Sequence, residues 1–129
     1  MKQKINIEAK NEPRESNELP KLIGELKVDV YETEKEIVVR STIAGVSPKD
    51  LDISLHNDLL TIRGKRHIKE EVGEDSFLVR ECFWGDFSRS IILPTSVDVK
   101  KCEATFKDGV LVIRLPKVSS KTSIPVRSL

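Results

Sequence analysis

Few side chains in this sequence have the type and spacing to do chemistry. Cys82 and Cys102 are its two thiols. A cysteine nucleophile needs a neighbour that holds it as thiolate. No histidine stands near Cys82 in sequence, so a structural or interface thiol is the better reading. His56 and His67 could be grouped with Asp52 or Asp58 as metal ligands. Their spacing fits no closed zinc site, and no cysteine pair lies nearby. Solvated or turn histidines explain them better. Ser88 and Ser90 lack a G-x-S-x-G setting. Asp108-Gly109 offers one glycine, which makes a turn and not a phosphate cradle. No acid–base, nucleophile or phosphate-binding set converges, so an enzyme is the least favoured class. No catalytic residue, metal or cofactor is assigned.

Bulk composition narrows the partners. The chain has 129 residues, enough for one domain with a real core. Its 22 basic and 21 acidic residues nearly cancel, leaving a net charge of +1. A nucleic-acid footprint needs basic residues massed on one face, and none is visible. No apolar run approaches the length that spans a bilayer. Lys2 and Lys4 precede no apolar segment of the kind a secretory signal carries. Two cysteines fit a reduced, cytoplasmic protein. A single Cys82–Cys102 disulfide is the less favoured alternative.

The elements that must position these residues read as strands. Lys107-Asp108-Gly109-Val110 is a strong hairpin signal, because glycine accepts the φ > 0 such a turn needs. Before it, Cys102, Ala104 and Phe106 alternate with polar residues. After it, Val110 to Ile113 is an unbroken apolar run, which predicts a strand buried on both faces. Pro116 ends that strand. Residues 1–24 are polar, with Pro13 and Pro20. Ile5, Ile7 and Ala9 alternate weakly, but a flexible arm is preferred there to a short strand. Leu26, Val28 and Val30 begin the period of two, and Glu36 to Ala44 continues it. Ser47-Pro48-Lys49-Asp50 makes a turn or one helical turn. Leu51, Ile53 and Leu55 alternate with polar residues, and Asn57-Asp58 turns the chain. Leu59 to Arg66 is the next strand, with a bulge or bend expected at Gly64. Residues 67–76 form a charged loop, on which Phe77 to Cys82 could be a short strand. Phe83-Trp84-Gly85-Asp86 is an aromatic turn, and Phe87 to Leu93 a strand stopped by Pro94. Many short strands without a helix-period segment predict an all-β sandwich.

Four stretches carry a family resemblance. Ala104-Thr105-Phe106-Lys107-Asp108-Gly109-Val110-Leu111 resembles the A-x-x-x-(D/N)-G-V-L motif of the α-crystallin domain, the core of the small heat-shock proteins. Ile43-Ala44-Gly45-Val46-Ser47-Pro48-Lys49-Asp50-Leu51 resembles that family's L-P-G-V-x-P-E-D-I stretch. Leu59-Leu60-Thr61-Ile62-Arg63-Gly64 is similar to its V-L-T-I-x-G strand. Gly85 to Pro94 is similar to its G-x-F-x-R-x-x-x-L-P strand. Order and spacing both agree, from about Glu25 to Lys117.

The resemblance implies an immunoglobulin-like β-sandwich at 25–117, between a short N-terminal arm (1–24) and a C-terminal extension (118–129). It implies an ATP-independent holdase that binds partly unfolded proteins, built as homodimers and higher oligomers of itself. The long loop marks the strand-exchanging type, in which a strand within Phe77–Cys82 pairs beside Leu26–Tyr31 of another copy. The implied dimer interface takes in Phe77, Val79, Arg80, Trp84, Arg89, Val28 and Val30. Arg89 could instead be an exposed charge on an alternating strand. Its fork suits carboxylate pairing across chains better than lysine would. Ile124-Pro125-Val126 resembles the family's C-terminal I-x-I/V tag. A groove lined by Leu51, Ile53, Leu55, Cys102, Ala104 and Phe106 would receive it.

The physics of sheet margins supports these readings, because an uncovered edge strand is a template for another chain. One departure weighs against client binding: the arm lacks the Phe- and Trp-rich character common in the family. It motivates an alternative, a spore-coat-like structural or assembly protein. A CS-domain co-chaperone is disfavoured, since that fold lacks the Ile124-x-Val126 tag and the Gly85-x-Phe87-x-Arg89 strand.

Overall fold

Alternation with a period of two becomes strand through much of the described chain. The computed structural model describes residues 3–5, 7–9, 23–118 and 124–128. Ten strands occur among them: β1 (Gln3–Ile5), β2 (Ile7–Ala9), β3 (Gly24–Glu25), β4 (Asp29–Glu32), β5 (Glu36–Thr42), β6 (Leu51–His56), β7 (Leu59–Arg66), β8 (Gly85–Ile92), β9 (Glu103–Lys107) and β10 (Val110–Pro116). The described residues contain no α-helix, only 3₁₀ turns at Pro48–Asp50, Glu74–Ser76 and Val99–Lys101. Two five-stranded sheets result, in the orders β1-β9-β10-β5-β4 and β2-β6-β7-β8-β3. The molecule is an all-β, two-sheet sandwich.

Two tight turns set the register. Asn57 and Asp58 have φ of 45° and 65°, and Asp108 and Gly109 have 52° and 76°. Both central residues lie in the left-handed region in each turn, and that twist matches the twist of the flanking strands. Between the sheets lie Ile37, Val39, Ile43, Ile53, Leu60, Ile62, Leu111, Ile113 and Leu115, all fully buried. Burying each such side chain contributes about 1.5–3 kcal/mol relative to exposure. Leu51, Ile53 and Leu55 alternate with half-buried Asp52, Ser54 and His56, as the period of two requires.

Four expectations need correction. Val110 is exposed and Val112 half-buried, while Leu111, Ile113 and Leu115 face the core. The second face of β10 is therefore the outside of the sandwich, and the apolar run is not buried on both faces. Gly64 is no bulge: Leu51 and Phe87 stand opposite it in unbroken ladders. Glycine is needed there because a Cβ would lie 2.7 Å from Cε2 of Phe87 and 3.0 Å from Cδ2 of Leu51. Residues 77–82 form no strand. No described strand of the same chain pairs with them. The weak alternation at Ile5, Ile7 and Ala9 takes the strand option that the sequence placed second.

The C-terminal end of β10 is fastened to the body. Lys117 donates its N–H to the Lys35 carbonyl at 2.8 Å and its Nζ meets Glu32 at 3.0 Å. Val118 donates to the Ser96 carbonyl at 3.1 Å.

Candidate functional site

Three surfaces gather the residues singled out by sequence. The first is the seam beside β6 and β9, each one strand in from the end of its sheet. Leu51, Ile53, Leu55, Ala104 and Phe106 are buried there, and Cys102 is half-buried at the rim. β9 has β10 on one side and β1 on the other; β6 has β7 on one side and β2 on the other. Ile5 and Ile7 pack against the core at this seam. Cys102 donates its S–H to the Asp98 carbonyl at 3.2 Å. Burial, and secondarily the Asp98 carboxylate, pushes its thiol up to about 11 from an ordinary 9.0. Cys82 is exposed, and both cysteines are free.

The second surface is the outer margin of β4 together with residues 67–84. All four residues of β4 are exposed, including Val30 and Tyr31, and among the described residues β4 has a neighbour, β5, on one side only. Val28, just before it, is half-buried against the core. On the long loop, Leu78 is 100% and Val79 72% exposed. The Arg80 guanidinium lies 4.7 Å from the Phe77 ring centroid. Phe83 is half-buried, Trp84 is more exposed, and Cys82 stands in solvent.

Two arginines tie this region together. Arg66, at the end of β7, donates from Nε to the Ala44 carbonyl at 2.8 Å and from Nη1 to the Phe83 carbonyl at 3.1 Å. It thus clasps both ends of the excursion. Sequence reasoning missed it, because its partners are backbone atoms far away along the chain. Arg89 donates from Nη1 to Glu25 Oε1 at 2.6 Å and reaches the Leu26 carbonyl at 3.4 Å. Within one chain it therefore anchors the strand that leads into β4.

The third surface is the tail. Ile124, Pro125 and Val126 run without secondary structure, Ile124 84% and Val126 95% exposed. Among the described residues, no group of three His, Cys, Asp or Glu side chains could hold a metal. No described helix is long and apolar enough to cross a membrane. His56 lies at the end of β6 with its ring 3.4 Å from the Asn57 amide.

Residues 29–128 match the model of the Hsp20/alpha crystallin family. The chain belongs to that family. Chaperone function is typical of that family, and the family forms oligomers. Small heat shock protein C4 of Rickettsia felis is 36% identical over 91 residues, which are 70% of this chain and 56% of that protein. Spore protein SP21 of Stigmatella aurantiaca is 34% identical over 89 residues, 69% of this chain and 53% of that protein. This Hsp20-family chain thus spans little more than half the length of these relatives. Heat shock protein 16.0 from Schizosaccharomyces pombe superposes with a TM-score of 0.67 at 28% identity, covering 84% of this chain and 99% of that one.

Proposed function

We propose that this protein is an ATP-independent holdase that binds partly unfolded proteins and keeps them from aggregating. Its working form is an assembly of strand-exchanged homodimers. One observation carries the reading: Leu78 and Val79 stand in water on a loop without regular pairing, while the same chain ends a sheet on the unpaired margin of β4. Laying 77–82 of one copy along 26–31 of another would satisfy both at once. Phe77, Val79, Arg80, Trp84, Val28 and Val30 form that interface, with Arg89 holding the receiving segment in line. The exposed Ile124 and Val126 then dock in the seam between β6 and β9 of a neighbouring copy. Each such contact is weak, and multivalency makes it count. Partners are other copies and partly unfolded clients, with neither nucleic acid nor membrane, in the cytoplasm.

A heat-labile client followed by light scattering tests the chaperone role. Suppression without ATP at comparable subunit concentrations is expected. No suppression at several-fold excess would instead favour a structural, coat-like role. That second reading draws support from the similarity to a protein named as a spore protein. Leu78→Asp/Val79→Asp tests the exchange: its mass should fall to that of a monomer in size-exclusion with light scattering.

A further inference from the structure

β1 and β2 belong to one short stretch that crosses from sheet to sheet. In β1, Gln3, Lys4 and Ile5 stand opposite Phe106, Thr105 and Ala104 of β9, antiparallel. In β2, Ile7, Glu8 and Ala9 stand opposite Ile53, Ser54 and Leu55 of β6, parallel. The chain changes sheets between Ile5 and Ile7, so one β-branched side chain is delivered to each margin. Both are half-buried against the core. The same spacing and the same side-chain class recur at Ile124-Pro125-Val126, where both apolar residues are exposed.

We propose that Ile5-x-Ile7 is a built-in occupant of the seam between β6 and β9, and that it competes there with the C-terminal tag of a second copy. The inference rests on the docking of that tag proposed above. Exclusion follows from the pairing. β9 has one open side once β10 is counted, and β6 has one open side once β7 is counted. β1 and β2 take both. An incoming tag would find no free backbone groups on either margin and no room for its two apolar side chains. Assembly through the tail therefore requires the N-terminal strands to leave.

That release is within thermal reach. Each strand contributes only three paired residues. Pairings this short open well below the cost of global unfolding. Their covalent attachment nevertheless gives them an effective concentration in the millimolar range. The apparent affinity for an external tag falls by the fraction of chains whose seam is open. The protein thus carries its own brake on oligomer growth, at the site through which the oligomer grows.

The test uses full-length chains whose own tag is disabled by Ile124→Ala/Val126→Ala. One acceptor keeps Ile5 and Ile7; the other also carries Ile5→Ala/Ile7→Ala. A fluorescently labelled peptide of residues 120–129 is titrated into each, and polarisation is read. The second acceptor is expected to bind about five-fold more tightly or better. Equal, measurable affinity for both would overturn the competition and leave tag docking standing. Binding to neither would remove tag docking and the competition with it. Circular dichroism establishes that both acceptors are folded. As a second measurement, an unlabelled peptide of residues 1–10 should displace the labelled tag from the second acceptor. A version with both isoleucines replaced by alanine should not. Failure of the native peptide to displace would also overturn the proposal.

Discussion

The ring of Phe87 lies against the backbone of Gly64, in the space that a side chain at residue 64 would occupy. The two stand directly opposite across β7 and β8. Arg66, two residues on, places its guanidinium 5.5 Å from the centroid of the same ring. A core aromatic thus meets a missing side chain beneath the clasp of the long loop.

Gly64→Ala should therefore destabilise the fold by about 1–3 kcal/mol through overpacking. In a Phe87→Leu background the added methyl has room, and the penalty should shrink. Urea unfolding of the four chains of this cycle measures the coupling. Identical penalties in both backgrounds would show that the ring is not what excludes a side chain.

Arg66→Ala removes two charge-assisted hydrogen bonds to carbonyl oxygens, each worth about 1.5–3 kcal/mol where water is excluded. Arg66 is only half-buried, so the lower end applies. The effect should be local, with faster amide exchange across residues 67–84 and little change in β5, β7 and β10. Arg66→Lys should not restore protection, because one ammonium cannot span both carbonyls as the guanidinium does.

Arg89→Gly should disturb assembly more than Arg63→Gly. Arg89 holds Glu25 and the Leu26 carbonyl, so its loss loosens the segment entering β4, leaving the Leu26 N–H bond to the Ser88 carbonyl. Arg63 is an exposed residue of β7. Size-exclusion with light scattering on both variants decides the matter; matching profiles would deny Arg89 a special role.

The two thiols should react at very different rates. Exposed Cys82 should label quickly in the native protein, whereas half-buried Cys102 should label slowly. Because Cys102 keeps its proton up to about 11 when folded, the unfolded chain releases a proton first. Stability should therefore fall as pH rises from about 9 to about 11. Cys102→Ala should show a shallower fall over that window. Thermal melting of the two chains across it provides the comparison.

Much of this architecture is legible in residue order. Asp108-Gly109 and Asn57-Asp58 declare their turns because few residues tolerate a left-handed backbone. Leu51, Ile53 and Leu55 declare a one-sided strand by alternation. What is hidden depends on partners that sequence does not place. Val110 to Ile113 looks buried throughout, yet Val110 is open to solvent because its outer face has no covering layer. Gly64 suggests a bend until Phe87 is seen over it. Ile5 and Ile7 are too few to declare a strand by themselves; they become one only where two margins lie ready. Arg66 gives no signal at all, since a carbonyl oxygen has no identity in sequence.

Lys117 and Val118 are pinned to Lys35, Glu32 and Ser96, so the tail starts from a fixed post. From Val118 to Ile124 a fully drawn chain reaches about 20 Å and no farther. That leash works as a ruler. Any seam that receives Ile124 and Val126 must open within one leash length of the post, whichever copy it belongs to. If the tag docks as proposed, lengthening residues 119–123 would relax the spacing between subunits without altering a single contact surface.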